Sequence, residues 1–266
     1  MELCHIPPAR ETSLLPPYLT HHLCIADQVL KHVDYATYYA SRVALNDFVI
    51  MDTAAFEGAA ISIQDLIEAV RRVRPSEVVL PDDVHDRRLT LQQSFDASRA
   101  LRQNGYDGTF MAVPHGKDLG EYMLSVKELE LIPGVTTFGI QEEVQELFGI
   151  SRAEVVRQVL NRVPPGYNIH LLGVQDDLLD ITHPFMMRNV RTADTAKFVV
   201  WGLNGIYVDP NETPFPAYPG RQSLGGRMEY FDYQLDDGDH AVNLIKDVRT
   251  NINTWKEYLR GRVEEV

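Results

Sequence analysis

Short apolar runs alternate with longer amphipathic ones along this chain, and that alternation restricts the fold more than any other feature. Eight runs read as strands: Glu2–Ile6, His21–Ile25, Phe48–Met51, Glu77–Leu80, Thr109–Val113, Val135–Gly139, Asn168–Gly173 and Asn189–Ala193. Helical patterns lie between most of them. Ile63, Leu66, Ile67, Val70 and Val73 recur at the 3.6-residue period. Leu89–Arg102, Lys117–Leu129 and Ser151–Val163 behave alike, with Ser151 and Glu154 spaced as a capping box. Strands that alternate with helices form a parallel sheet. Eight of them suit closure into a (β/α)8 TIM-type barrel of the α/β class, for which about 250 residues is typical; this chain has 266. The G-x-G-x-x-G turn of an open dinucleotide-binding sheet is absent.

No repeat, low-complexity tract or linker divides the sequence, so residues 1–266 read as one barrel domain. The first connection, Pro7 to Pro17, holds four prolines and is expected to be irregular with at most one helical turn. Residues 209–266 form a C-terminal tract. Its first part, Asp209–Gly226, is rich in Pro and Gly, and a final helix over Asp239–Val263 follows. That helix either packs on the barrel or pairs subunits, as a homodimer or a hetero-oligomer.

The formal charge of −13 argues against broad adhesion to nucleic acid or an anionic membrane. Local basic groups remain: Arg71-Arg72-Val-Arg74, Arg87-Arg88, and the scattered Arg188, Arg191 and Lys197. No apolar run approaches the ~20 residues that span a bilayer, and the first residues lack the pattern of a signal peptide. With only Cys4 and Cys24 there is no Cys-rich zinc site or disulfide scaffold. The expectation is a soluble cytoplasmic protein with reduced thiols.

In a barrel the strand ends on one face supply the chemistry. Here they carry Asp52, then Asp82-Asp83, His115-Gly116, Gly139, Gly173 and Asp194. Carboxylates accept ring N–H and amino hydrogens, and glycines let a flat ring approach the backbone. Such a set suits a polar, planar ligand. The plainer alternative is that the acids at these three strand ends cap the helices that follow them. His85 and Asp86, after Asp82-Asp83, read as a solvated loop rather than a metal cluster, because clustered acids are best solvated by water. Tyr207, Phe215, Tyr218, Tyr230, Phe231 and Tyr233 either stack bases or cover one end of the barrel.

Six segments, in order, resemble the motifs of the tRNA-guanine transglycosylase superfamily. Asp52-Thr-Ala-Ala-Phe-Glu57 resembles that family's D-S-G-(G/A)-F-Q, and Leu80-Pro-Asp82-Asp83 its A-F-D-E. Val113-Pro-His115-Gly116 is similar to V-Q-G, and Phe138-Gly139-Ile140-Gln141-Glu142 to G-G-L-A-V-G-E. His170-Leu-Leu-Gly173-Val174 resembles Y-L-M-G-V-G, and Val190-Arg-Thr-Ala-Asp194-Thr195 resembles V-D-x-F-D-C. The match runs from about residue 45 to 200. Departures are a missing Cys/His zinc insertion, His115 in place of glutamine, and Thr53-Ala54 in place of Ser-Gly. They resemble the compact phage-type relatives that modify DNA guanines, or a divergent paralogue.

The resemblance implies a pentosyltransferase that exchanges guanine in DNA or tRNA for a 7-deazaguanine, with no redox cofactor. It implies Asp194 as nucleophile and Asp52 as acid/base. Asp82, His115, Gly116, Gly139, Gly173 and Phe56 would line the base pocket. Two other readings stand beside it. One is a metal-dependent barrel hydrolase using His21, His22, His115, His170 and Asp194, although adjacent strand residues such as His21 and His22 face opposite ways. The other is a partner subunit that keeps the fold and has lost the reaction.

Overall fold

The computed structural model describes residues 1–53, 61–174, 178–212, 215–224, 230–235 and 239–264. All eight expected strands form: β1 (Glu2–His5), β2 (His21–Ile25), β3 (Phe48–Asp52), β4 (Glu77–Val79), β5 (Thr109–Ala112), β6 (Val135–Gln141), β7 (Asn168–Leu172) and β8 (Thr192–Thr195). They make one all-parallel sheet in the order β1-β8-β7-β6-β5-β4-β3-β2. β1 comes back beside β2, so the sheet curls into a nearly closed (β/α)8 barrel whose one unlaced seam lies between those two strands.

β3 shows why the strands form where they do. Val49, Ile50 and Met51 are fully buried, because one face of the strand meets the barrel interior and the other meets helices. Burying each such side chain contributes roughly 1.5–3 kcal/mol. Ile50→Ala would therefore cost about 2–5 kcal/mol through lost contacts and the cavity left behind. β5 and β6 are out of step by one residue, Phe110 pairing Val135 and Met111 pairing Thr137. The extra residue, Thr136, is a bulge that turns Thr137 toward the interior.

Helices cover the outside. α3 (Ile63–Val73) has the boundaries its periodicity predicts, capped by Ser62, whose side chain accepts the Asp65 N–H. α4 (Arg87–Gln103), α5 (Leu119–Leu129) and α7 (Arg152–Arg162) sit within two residues of expectation. Ser151 caps α7 by accepting the Glu154 N–H. Glu154 does not complete the box; its carboxylate turns to Arg157 and Gln158. The first connection holds a single 3-10 turn, Thr12–Leu14.

Several elements differ from the sequence reading. α1 (Ala26–Lys31) and α2 (Val33–Ala44) fill the link from β2 to β3. Short helices α6 (Val144–Phe148), α8 (Leu179–Thr182), α9 (Pro184–Asn189) and α10 (Lys197–Leu203) were likewise unpredicted. β8 begins at Thr192 rather than Asn189. α9 occupies the earlier stretch, and the Val190 N–H is still bonded to the Met186 carbonyl. The shift carries Asp194 into the strand itself.

The final helix, α11 (Asp239–Glu264), packs against α10 and the 3-10 turn of the first connection. Trp255 is fully buried between Phe198 and Phe215. Tyr218 packs edge-on to Trp201, and Tyr230 and Phe231 are buried. Most of the aromatic tail therefore packs against the helical shell. Tyr207 alone among those positions is a large exposed ring, 52% accessible. No described helix is long and apolar enough to cross a membrane.

Candidate functional site

The C-terminal ends of the strands share one mouth, as parallel strands of a barrel must. Asp52 is the last residue of β3, Asp82 lies three residues beyond β4, His115 lies three beyond β5, and Asp194 lies in β8. None of the three acids caps a described helix. The following helices are capped instead by Ser62 and Asp86, and α10 starts after Ala196 with no side-chain cap. Asp83 folds back to accept the N–H groups of His85 and Asp86, so it builds the loop and does not reach the mouth.

Asp82 and His115 form a close pair, Oδ2 to Nε2 at 2.6 Å, with side chains 7% and 9% exposed. Gln141, at the end of β6, fixes the ring. Its Nε2 donates to the Pro114 carbonyl at 2.7 Å and lies 3.3 Å from each nitrogen of His115. The Nε2 proton is committed to Asp82, so the amide addresses the Nδ1 lone pair. Gln141 Oε1 in turn accepts from the Tyr122 hydroxyl at 3.2 Å. Both ring nitrogens of His115 are thus spent within the protein. His115 holds Asp82, whose other oxygen has no partner among the described residues.

Asp194 is held differently. Its Oδ1 accepts from the Gly173 N–H at 3.0 Å and from His170 Nε2 at 3.1 Å. The other nitrogen of His170 meets the Thr192 hydroxyl at 2.8 Å. Hydroxyl, imidazole and carboxylate stand in line as in a hydrolytic triad. Thr192 and His170 are nevertheless completely buried, so no substrate reaches the hydroxyl. The row supports Asp194 and is not a nucleophile in its own right. Among the described residues Asp194 Oδ2 has no partner, and it is not among the buried orphan atoms, so it faces the mouth.

The glycines separate into three cases. Gly173 has φ +72°, a left-handed conformation that suits glycine, and this conformation accompanies its N–H bond to Asp194. Gly116 is a close-approach position. A Cβ there would lie 2.3 Å from the Tyr122 nitrogen, so its missing side chain makes room for α5. Gly139 lies lower in the barrel, where a Cβ would meet Leu172 and Met111 at 2.9 and 3.1 Å. Phe56, with Ala54 and Ala55, lies outside the described residues.

Thr53, directly after Asp52, is buried with its hydroxyl unpartnered. Burial raises both thiols, with Asp194 adding to the effect on Cys4 and Asp52 on Cys24, so neither cysteine is a thiolate. The histidines proposed for a metal are divided. His115 belongs with Asp82 and His170 with Asp194, while His22 turns outward to Arg42 and Asp47. Among the described residues no three His, Cys, Asp or Glu side chains are grouped to hold a metal ion.

Sequence reasoning missed Gln141 and Tyr122 as partners of His115, and it missed Arg152. Only the last left a trace: a cation at the first position of a helix opposes the macrodipole and calls for a reason. The chain matches no protein-family model, and no curated protein matches it significantly.

Proposed function

We propose that this chain is a base-exchange transglycosylase, replacing guanine in DNA or tRNA with a 7-deazaguanine through an aspartyl glycosyl intermediate. One observation carries the reading. Asp194 presents a carboxylate held at one oxygen by the Gly173 N–H and His170 Nε2, while its other oxygen has no partner among the described residues. A carboxylate so placed is both a nucleophile and a stabiliser of the cationic character that develops at an anomeric carbon.

In the proposed reaction Asp194 Oδ2 attacks the sugar C1′ as the bond to guanine N9 breaks. Asp52, protonated at the start, gives its proton to the departing guanine, and the sugar is held as an ester on Asp194. The incoming base loses a proton to Asp52, attacks C1′, and releases Asp194. Asp82, oriented by His115, accepts amino or ring N–H hydrogens of the base with its unshared oxygen. A stacked base cannot reach these groups, so the target nucleotide must be single-stranded or flipped. The division of the histidines into two carboxylate-bound pairs favours this reading over the metal-dependent hydrolase.

The test is incorporation of labelled guanine or 7-deazaguanine into DNA or tRNA, with a search for a covalent sugar adduct. Wild-type protein should incorporate label and Asp194→Asn should not. Incorporation that survives Asp194→Asn removes the assigned nucleophile. Absence of both incorporation and adduct with every acceptor favours the partner-subunit reading.

A further inference from the structure

Arg152 is the first residue of α7 and is 1% exposed. Its guanidinium gathers acceptors from two adjacent strand ends. Nη1 donates to the Gly173 carbonyl at 2.7 Å and to Asp180 Oδ2 at 2.8 Å. Nη2 donates to the Leu172 carbonyl at 2.8 Å and also to the Ile140 carbonyl. Asp180, in α8, balances a charge that the start of a helix does not welcome.

The Leu172 carbonyl and the Gly173 N–H belong to the same peptide group. That group is planar and rigid, so whatever fixes the direction of its C=O also fixes its N–H. One edge of the plane is held by Arg152, and the opposite edge donates to Asp194 at 3.0 Å. We propose that Arg152 is a positioning residue that aims the Gly173 N–H at Asp194 and thereby sets the orientation of that carboxylate. Its consequence for catalysis rests on Asp194 being the nucleophile; its geometric content does not.

A fork of fixed N–H donors is required here. Lysine keeps the charge but has a single nitrogen on a flexible stem, and it cannot hold carbonyls of β6 and β7 together with Asp180. The experiment uses the whole chain with 15N-labelled glycine. In wild type the Gly173 amide proton should resonate downfield, as a donor to a carboxylate does, and Asp194→Asn should move it upfield. Arg152→Lys should move it the same way while glycine amides elsewhere stay in place. Its kcat for base exchange should fall about tenfold with KM unchanged, because attack geometry is lost while base contacts remain.

If Arg152→Lys does not fold, the paired change Arg152→Met with Asp180→Leu removes both buried charges together, which proteins tolerate better than removing one. It should show the same amide shift. A Gly173 amide that keeps its wild-type position in a folded Arg152 variant overturns the proposal. An amide that moves as expected in a wild-type background without base exchange leaves the proposal standing and removes only the transglycosylase reading.

Discussion

At the lower end of the ring Glu77 meets Arg191, whereas at the upper end Asp194 meets, among the described residues, only a histidine and a peptide N–H. Glu77 is fully buried, and both of its oxygens are used. Thr137 and Thr109 donate to Oε1 at 2.5 and 3.2 Å, and Arg191 engages both oxygens while lying over the Phe48 ring. Charge there is cancelled and every acceptor is filled, which makes a plug. At the mouth Asp82 and Asp194 each meet a histidine and no Arg or Lys, and each has one oxygen with no partner among the described residues. The same residue types thus close one end of the barrel and leave unspent negative charge at the other. Burying a carboxylate without a cation costs stability, and that cost is expected where function requires it.

The largest effect should come from Asp194→Asn, which leaves the ring intact and removes the charge. Base exchange should fall by at least ~10³-fold while the thermal midpoint stays near wild type. If the loss of activity comes with loss of folding, the two ends do not differ in the way described. Glu77→Leu makes the converse test. It leaves Arg191 uncompensated and should cost about 3 kcal/mol in urea unfolding, with kcat nearly unchanged in the folded protein.

A pH effect should follow from His5 and His22, on β1 and β2. Burial lowers His5 from 6.5 to about 3, and burial followed by the Arg42 charge lowers His22 to about 4. Below pH 6.5 the unfolded chain takes up protons that these folded rings refuse, so stability falls as pH drops from about 6.5 toward about 4 and is fully present above that window. Each ring contributes roughly 3 kcal/mol at most across it. His5→Leu should flatten part of the slope between pH 7 and 5; an unchanged slope would mean that the acid sensitivity originates at the mouth instead. The smallest effect is expected from His115→Asn, which frees Asp82 to rotate. It should lower kcat/KM about tenfold, chiefly through KM, since Asp82 serves binding more than bond cleavage.

The strands were legible because their apolar runs are short and bounded, and Phe48-Val-Ile-Met could hardly be anything else. β8 was misplaced for a physical reason. Its true residues, Thr192, Ala193, Asp194 and Thr195, are polar or small because the inner positions carry the Asp194 network. The apolar stretch before them had already been taken by α9. Site positions could be read as strand ends, which topology alone dictates. What each acid touches could not, since Gln141, Tyr122 and Arg152 reach the site from other elements. Nor could the close packing of Gly116 on α5 be read, since a glycine that admits a helix and one that admits a base look identical in a sequence.

The seam between β1 and β2 has one further consequence. No ladder laces those strands, yet the Tyr230 hydroxyl donates to the Ile6 carbonyl, the Ala9 N–H to Phe231, and the Leu235 N–H to Glu11. Arg249 of α11 reaches the Ser13 carbonyl, which also lies in the connection from β1 to β2. The late part of the chain therefore works as a buckle on a belt, fastening a loose join by its ends. Trimming it should let the wall part along that line first, with β1 and β2 amides exchanging with solvent before those of β5 and β6.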